Sequence, residues 1–515
     1  MDFVLIPSRP QLNINLVSAL AALVVCAASL WRSLSRRRSL PLPPGPRPLP
    51  ILGNVLDWPT MSPWIKFAEW SKVHGDIVHI QLMGDHVVVI NSAEAAAQIL
   101  NRAIYSDRPR FVMAGEIMGY VRSMALAPWG NHWKSMRRLT QHGFSKSSVQ
   151  KFLPNHEDGA RRFVRSLLEK PSKYLETLRF VLGKNILETT YGLEVDSVDH
   201  KLIKVSEAIQ SDIAFAIVPG KFLVDTFPLL KRLPWWLPFL KYDKYAKRAM
   251  ELTAEMVDGS FDDVKSRMSD GTIRPCLVSN VLEDDNLRNK TPDFENVLKW
   301  AAGTLYGAGV ETSVACFSTF ALAMAMYPDV QRRAQEELDR VVGSSRMPTF
   351  EDRERLPYID AILKEALRWQ PPVPLGVPHR VMEDDTYNGY RIPKGSVVIA
   401  NLWQMGRDAR TYSDPLEFKP ERFLPDMNGG RAAELDPATY VFGFGRRACP
   451  GNHYATTSLF IQFASVLWAF DIKAEDEQGR PVKVSPEFTP GFVSHACPFP
   501  YKFVRRVEIQ DGMTS

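Results

Sequence analysis

A long apolar run near the N-terminus is the first feature of the hydrophobic pattern. Residues 12–31 are apolar apart from two asparagines and two serines. A run of about 20 such residues is long enough to cross a bilayer as a helix. Four arginines follow the run within residues 32–38, whereas Arg9 is the only basic residue before it. Because basic residues stay on the cytosolic side, the pattern predicts a lumenal segment 1–11, a transmembrane helix 12–31 and a cytosolic remainder.

A cleaved signal peptide is the alternative for this run, with the small residues 26–29 as a cleavage site. It is disfavoured because a signal peptide carries its basic residues before the apolar segment, not after it. Residues 32–50 then form a basic and proline-rich hinge. Its Pro41–Pro46 stretch cannot be helical and is expected to be stiff and extended.

The pattern beyond the hinge predicts a small sheet followed by a mostly helical body. Val78, Ile80 and Leu82 alternate with polar residues, as in a half-buried strand, and residues 86–90 are predicted to be its hairpin partner. An alanine-rich helix starts at Ala93, and residues 397–400 read as a buried strand. The expected fold class is therefore mainly α with small β-sheets (α+β).

The segment from Thr291 to Met326 is apolar almost all round, which is typical of a helix buried on every side. Thr291 and Pro292 favour its start. We expect Ala308-Gly309 to interrupt this helix, and the Thr312 hydroxyl to donate back to a backbone carbonyl. The segment 234–239 is apolar and aromatic with basic flanks, a composition that suits a membrane interface.

Composition excludes some classes of function. The net charge is +5 and the pI about 8.8, without a dense basic tract interleaved with aromatic residues, so nucleic acid is not an expected partner. The five cysteines are scattered and odd in number, which favours a reducing compartment over a disulfide framework. They are Cys26, Cys276, Cys316, Cys449 and Cys497.

Cys449 lies in a glycine-rich loop, residues 442–451, which contains no second cysteine and no histidine. Iron–sulfur clusters and structural zinc need several such ligands, so both are poor matches. A lone thiolate suits the axial position of a haem iron. The backbone N–H groups after Cys449 and the start of a helix near Asn452 could then stabilise the anionic sulfur. From the loop alone, the alternative that Cys449 is a buried structural cysteine remains open.

The loop, written Phe442-x-x-Gly445-x-Arg447-x-Cys449-x-Gly451, resembles the haem-binding signature of the cytochrome P-450 family. Four further motifs occur in the order of that family: Trp133-x-x-x-Arg137, Ala308-Gly309-x-Glu311-Thr312, Glu365-x-x-Arg368 and Pro420-Glu421-Arg422-Phe423. The resemblance runs from about Pro43 to the end and is strongest to fungal microsomal members. It implies one large haem domain, residues 51–515, with the cytochrome P-450 fold.

The resemblance assigns roles to individual residues. Cys449 is expected to be the axial ligand of the haem iron, and Glu311 and Thr312 are expected to relay protons. The expected haem contacts are Phe442, Gly445, Arg447, Gly451, Trp133, Arg137, His379 and Arg108. Glu365, Arg368 and Arg422 are expected to form a structural network that retains haem. The candidate substrate-pocket residues are Phe111, Met113, Met118, Met124, Tyr306, Ala308, Val373, Leu375, Val377, Phe492 and Val493.

The implied activity is that of a monooxygenase, which inserts one oxygen atom from O2 into a hydrophobic molecule such as a terpenoid, a polyketide or an aromatic xenobiotic. Electrons would come from NADPH through a membrane-bound reductase, with cytochrome b5 as a second partner. Lys134, Arg138 and Arg446 are candidates for a basic docking face. The implied location is the endoplasmic reticulum membrane, single-pass, with a cytosolic catalytic domain.

Three alternatives remain open. An isomerase or dehydratase of the same fold would keep the haem without oxygenation, although the intact Glu311-Thr312 pair argues against it. A non-catalytic haem-binding protein would need no acid–alcohol pair. A membrane-anchored protein with a structural Cys449 would hold no haem.

Overall fold

The alternating segment forms an antiparallel hairpin, β1 (Ile77–Leu82) and β2 (Asp85–Ile90). In this computed structural model, which describes residues 40–217, 221–232 and 242–506, two later strands complete the sheet. They are β3 (His379–Arg380) and β6 (Val397–Ala400). The strand order is β1-β2-β6-β3, with β2 and β6 parallel and Val89 opposite Ile399. The predicted transmembrane helix 12–31, its flanking segments 1–11 and 32–39, and the segment 234–239 lie outside the described residues.

Two further sheets of two antiparallel strands complete the β-structure of the described ranges. One pairs β4 (Asp385–Tyr387) with β5 (Tyr390–Ile392), and the other pairs β7 (Phe470–Lys473) with β8 (Lys502–Arg505). The rest of the described chain is mostly helical, so the expectation of a mainly α fold with small sheets is confirmed.

The α-helices are numbered here in chain order. They are α1 (Pro63–His74), α2 (Ala93–Leu100), α3 (Asn131–Phe144), α4 (Lys146–Val149), α5 (Leu153–Glu169), α6 (Tyr174–Tyr191), α7 (Lys201–Ala216), α8 (Leu223–Thr226), α9 (Tyr242–Thr253), α10 (Ser260–Ser269), α11 (Leu277–Leu282), α12 (Asp285–Lys290), α13 (Phe294–Met326), α14 (Pro328–Val341), α15 (Pro357–Trp369), α16 (Leu402–Met405), α17 (Ala438–Val441) and α18 (Asn452–Ala469).

Shorter helical turns connect these helices. The 3₁₀ turns are Val55–Asp57, Ala103–Tyr105, Tyr120–Arg122, Gln150–Phe152, Pro171–Lys173, Pro228–Arg232, Phe350–Arg355, Pro420–Phe423 and Gly445–Arg447. Two π-helical turns occur at Val112–Ile117 and Ala254–Gly259.

Helix α13 is the central element of the helical body. It has 33 residues and contacts α3, α6, α7, α15 and α18. The predicted start at Thr291-Pro292 is wrong by a few residues, because the helix begins at Phe294 and Asp293 precedes it with a positive φ of 52°. The predicted interruption at Ala308-Gly309 is also wrong, since the helix is continuous there. Gly309 instead allows close helix packing: an added Cβ would lie 2.6 Å from Ile186 Cδ1 on α6.

Within the described ranges, α13 alone has the length and apolar composition of a membrane span, but 72% of its apolar stretch is buried inside the protein. It shares the main hydrophobic core with α5, α6 and α18. Two smaller clusters cover the opposite faces of the four-stranded sheet. Strands β2 and β6 are therefore apolar on both faces, which explains the continuous apolar runs at 87–90 and 397–400.

Candidate active site

The loop before α18 presents the Cys449 side chain through backbone constraints at each end. Gly443 and Gly445 have positive φ values of 79° and 55°, and an added Cβ at Gly445 would lie 2.7 Å from the Leu100 carbonyl oxygen. The Cys449 N–H donates to the Phe442 carbonyl over 2.7 Å, which closes the loop. Helix α18 begins at Asn452, as predicted, so its N-terminus lies next to the thiol.

Cys449 is surrounded by protein atoms, but its side chain is exposed to a cavity of about 700 Å³. Burial raises the pKa of the Cys449 thiol, while a hydrogen bond from the Gly451 N–H and the positive charge of Arg137 act in the opposite direction. The Gly451 N–H and the charge of Arg137 therefore both stabilise a thiolate, and a bound cation would offset the desolvation of the buried sulfur.

Three guanidinium groups cluster near this loop without a carboxylate partner. Arg108, Arg137 and Arg447 form no ion pair with any carboxylate in the part of the chain that the structure describes. The nearby carboxylate of Asp107 is bound by Arg380 and by the Trp129 N–H. Burial and mutual repulsion lower the pKa of Arg108 well below its ordinary value. Burial also lowers the pKa of Arg447, to about 10.

Backbone carbonyls orient two of these arginines. Arg108 donates to the carbonyls of Ala125, Val377 and Pro378 at 2.7–3.0 Å. Arg447 donates to the Ser106 carbonyl at 2.6 Å and the Ala127 carbonyl at 2.8 Å, and its guanidinium lies 4.4 Å from the centre of the Trp133 ring. The fold thus fixes a buried positive patch that neutral acceptors alone do not neutralise.

Trp133 and His379, two of the expected haem contacts, already use a ring N–H in a bond to a backbone carbonyl. The Trp133 indole N–H donates to the Met124 carbonyl at 3.2 Å and is already bonded. His379 Nδ1 lies 2.7 Å from the Tyr105 carbonyl oxygen, so Nδ1 carries the proton and Nε2 of the neutral ring is an acceptor. Burial and the positive charges of Arg108 and Arg447 lower the pKa of His379 to about 3.

This donor set fits a haem. A single thiol at the edge of a large cavity provides the soft axial ligand for iron. Unpaired guanidinium groups are the partners that two propionate carboxylates require. Cys449 would hold the iron, and Arg108, Arg137 and Arg447 would hold the carboxylates. Gly445 allows the loop to pack closely on Leu100, whereas an added Cβ at Gly451 would meet the sulfur at an ordinary contact distance of 3.7 Å.

Helix α13 presents one polar face toward this region. Thr304, Ala308 and Thr312 recur at every fourth position and therefore lie on one side of the helix. The Thr312 hydroxyl donates to the Ala308 carbonyl at 3.1 Å, as predicted, and Thr304 accepts a hydrogen bond from the Met124 N–H. Ala308 is exposed although it lies mid-helix in the interior, so this face borders open space.

The Glu311 side chain points elsewhere. Arg179 of α6 donates to its carboxylate through Nε at 2.7 Å and Nη2 at 3.4 Å. His495 Nε2 lies 3.5 Å from the second oxygen. Neither Arg179 nor His495 was among the residues that the sequence singled out, because each is distant along the chain and belongs to no motif.

The candidate pocket residues differ in how deeply they are buried. Met113, Met118 and Met124 are buried in the main core, and Phe111 and Val377 pack at its edge. Val373, Phe492 and Val493 are half-buried. Tyr306 is also buried in the main core, but it lies on a different side of α13 from Ala308. Leu375 packs elsewhere.

Tyr306 lies about 200° around α13 from Ala308, since each helical residue turns the chain by about 100°. Its hydroxyl donates to the Leu202 carbonyl on α7 at 3.0 Å. Leu375 packs against the small sheet instead of the main core. The Gly376 N–H donates to the Val373 carbonyl at 3.0 Å and closes a turn that contains Leu375.

Glu365, Arg368 and Arg422 lie together in a fully buried network. Arg368 grips the Glu365 carboxylate with two bonds, at 2.7 and 2.8 Å, and Arg422 adds a contact at 3.2 Å. The Lys419 N–H also donates to Glu365, at 2.6 Å. Sequence reasoning missed Glu434, whose carboxylate accepts from Arg422 at 2.7 Å and balances the second positive charge.

Comparisons with known proteins show which family the chain resembles. The family model described as cytochrome P450 matches residues 43–503. The cytochrome P450 monooxygenase claR of Ampulloclitocybe clavipes is 42% identical over 499 residues, covering 96% of this chain and 91% of the relative. Cytochrome P450 monooxygenase 208 of Postia placenta is 39% identical over 492 residues, 94% of each chain. A cytochrome P450 monooxygenase of Armillaria gallica is 38% identical over 494 residues, 94% of this chain and 96% of the relative.

Proposed function

The chain belongs to the cytochrome P450 family and is a haem-dependent monooxygenase, and from that premise we propose that it inserts one oxygen atom from O2 into a hydrophobic small molecule, with electrons that a partner reductase takes from NADPH. The observation that carries the proposal is the Cys449 thiol, which lines a cavity of about 700 Å³ together with Arg137. Arg108 and Arg447 lie close by, and none of the three guanidinium groups pairs with a carboxylate of the described residues. When bound, the haem supplies the reductive activation of dioxygen.

Thr312 and Glu311 are the proposed proton relay. Because the Thr312 hydroxyl donates to the Ala308 carbonyl, its oxygen lone pairs face outward and can accept a hydrogen bond from a proton donor in the open space beside α13. Glu311 precedes Thr312, and its side chain lies about 100° around the helix from the Thr312 side chain. It is the group that receives protons from solvent and passes them to the Thr312 side.

The substrate is proposed to be apolar. The candidate pocket residues from the loop 111–124 and from the turns at 373–377 and 492–493 are aliphatic, aromatic or thioether side chains, and none carries a charge. Such a lining favours hydrophobic molecules. Terpenoids, polyketides and aromatic xenobiotics are the classes to examine first.

The reductase is proposed to dock on the Cys449 side. Basic side chains contribute to the lining of the large cavity beside Cys449, and no acidic residue is among the described residues that line it. They are Arg137, His142, Lys146, Lys151 and His453. The predicted docking residues Lys134, Arg138 and Arg446 are also exposed. A basic surface here would attract an acidic electron donor, which includes cytochrome b5 as a second partner.

The endoplasmic reticulum membrane is the proposed location, with one span at 12–31 and the catalytic domain in the cytosol. Exposed apolar side chains follow the hinge and support contact with a bilayer. Ile51 is 92% exposed, Leu56 74% and Met61 68%. Scattered apolar residues are normal on a surface, but several within a dozen positions form a patch that suits lipid.

The test is expression of the full chain with a reductase and NADPH. We expect a red-shifted Soret peak of the reduced carbon monoxide complex, and products with one added oxygen atom in a mass-spectrometric screen of hydrophobic compounds. NADPH-independent turnover would favour the isomerase or dehydratase alternative. A protein that stays colourless despite ample haem would contradict the proposal.

A further inference from the structure

The Glu311 carboxylate is held at the junction of three elements. Arg179 comes from α6, and His495 comes from the turn before the C-terminal strand. The turn is itself anchored, because the His495 N–H donates to Thr489 Oγ1 at 3.0 Å and the Ala496 N–H donates to Ser318 on α13 at 3.2 Å. These contacts fix the carboxylate about 100° around α13 from the Thr312 side chain.

A small cavity lies against this carboxylate. Its volume is about 10 Å³, which is close to the space that one buried water molecule needs. Its lining combines polar groups from α6, α7 and α13 with two apolar side chains. The lining residues are Arg179, Ile203, Ser206, Glu207, Tyr306, Val310 and Glu311. A water here would find several hydrogen-bonding partners, as buried waters require.

Glu207 connects this cavity to solvent. It is an exposed residue of α7, yet it also lines the cavity that Glu311 borders. Partial burial raises the pKa of Glu207; the positive charge of Arg179 opposes this, and the negative charges of Glu311 and Glu176 add to the rise. Lys204, also on α7, favours the ionised form. A carboxyl with a raised pKa is a better proton donor near neutral pH than an ordinary glutamate.

We propose that Glu207 is the proton-entry residue of this monooxygenase, delivering protons through the water-sized cavity to Glu311. Arg179 and His495 are positioning residues that keep the Glu311 carboxylate at the cavity. This inference rests on the proposed relay through Glu311 and Thr312.

The proton balance closes on named groups. Monooxygenation consumes one O2, two electrons and two protons for each oxygen atom inserted, and the second oxygen atom leaves as water. For each proton, Glu207 gives its carboxyl proton to a water in the cavity, which gives one to Glu311. Glu207 then regains a proton from solvent and Glu311 passes its own to the Thr312 side. The electrons come from NADPH through the reductase.

The first test is kinetic, on the full chain with its haem and a reductase. Glu207→Gln removes the transferable proton but keeps the shape of the side chain. We expect turnover to fall roughly tenfold, below the 10²–10⁴-fold that loss of a general acid itself costs, and the solvent isotope effect to rise. Glu207→Asp should restore part of the rate. Glu176→Gln is the matched control, because it removes a charge nearby but does not line the cavity.

Ser206→Val gives an independent variant, since it fills the cavity without touching Glu207. It should also raise the solvent isotope effect while the carbon monoxide spectrum stays normal. If Glu207→Gln and Ser206→Val both behave like Glu176→Gln, the entry route is wrong. Glu311→Gln separates the two proposals. Full turnover and normal coupling in Glu311→Gln would overturn the relay through Glu311 and Thr312. If Glu311→Gln is impaired but Glu207→Gln and Ser206→Val are not, only the entry through Glu207 is overturned.

The second test needs no turnover. The carboxyl band of Glu207 in the infrared spectrum, identified by its loss in Glu207→Gln, is titrated with pH. Because the charge of Glu311 raises the pKa of Glu207, Glu311→Gln should shift the midpoint downward. An unchanged midpoint would show that the two carboxylates do not interact across the cavity and would overturn the proposal.

Discussion

The Thr312 hydroxyl has a defined geometry that makes its role testable. It donates to the Ala308 carbonyl on the face of α13 that borders open space. Thr312→Ala removes the hydroxyl without changing the helix propensity unfavourably. We expect the haem and its thiolate spectrum to be kept, while reducing equivalents are lost as hydrogen peroxide because protons no longer arrive at the right position.

The measurement is product and peroxide formed per NADPH oxidised. Ser313→Ala is the matched control, since Ser313 makes an equivalent bond to the Gly309 carbonyl at 2.8 Å but lies on the next face of the helix. Normal coupling in Thr312→Ala would contradict the proposed role of the hydroxyl.

His156 illustrates a cost that only the structure reveals. It is fully buried against Tyr454 and Phe350, and neither ring nitrogen has a hydrogen-bond partner among the described residues. Burial lowers the pKa of His156 from 6.5 to about 3. The unfolded chain therefore binds a proton below pH 6.5 that the folded chain refuses, so stability is lost as pH falls from about 6.5 toward 3.

The variant His156→Phe should remove this acid sensitivity. Between pH 7.5 and pH 5 the histidine costs about 2 kcal/mol of unfolding free energy, and the phenylalanine should abolish that part of the loss. Urea unfolding at both pH values measures the effect. An identical acid loss in wild type and His156→Phe would refute the explanation.

At the scale of elements, the network around Glu365 ties α15 to the segment before the Cys449 loop. Arg368 and Arg422 carry two buried positive charges, and Glu365 with Glu434 neutralises them. Removing one partner of a buried ionic network costs about 3–5 kcal/mol because the other charges stay buried. We expect Glu365→Ala to fail to retain haem.

The control for this prediction is an exposed pair at the same helical spacing. Asp329 and Arg332 on α14 lie 3.2 Å apart with most of both side chains in solvent. Asp329→Ala should cost about 1 kcal/mol or less. The haem content of the purified proteins and their urea midpoints measure both effects, and equal haem retention in the two variants would contradict the structural role of Glu365.

The sequence predicted elements better than it predicted their detailed ends and contacts. The alternating hairpin, the buried helix, and the helix start at Asn452 follow from local pattern and were found. The break at Ala308-Gly309 was not, because Gly309 is needed for contact with Ile186 of α6. Arg179 is 132 residues from Glu311 along the chain, so no local pattern could connect the two.

At the scale of the whole molecule, the basic side chains around the large cavity bear on the choice of electron donor. The basic side chains around the large cavity come from α3, α4, α18 and the turn after α4. Charges on a surface rim steer association more than they add affinity, and their effect fades as salt screens it. A double variant that inverts two of these charges should therefore weaken encounter with the reductase and leave the haem site intact.

The double variant is Lys146→Glu with Lys151→Glu, both exposed. At low salt we expect the KM for reductase to rise roughly tenfold with little change in kcat, and the gap to wild type to close at high salt. Lys72→Glu with Lys473→Glu is the matched control, because it changes the net charge equally at exposed positions that do not line the cavity. Reduction kinetics measured against reductase concentration at two ionic strengths separate the cases. Equal KM values for the two double variants would mean that the reductase does not approach from the Cys449 side. A difference in KM from wild type that persists at high salt would indicate a contact that does not depend on charge.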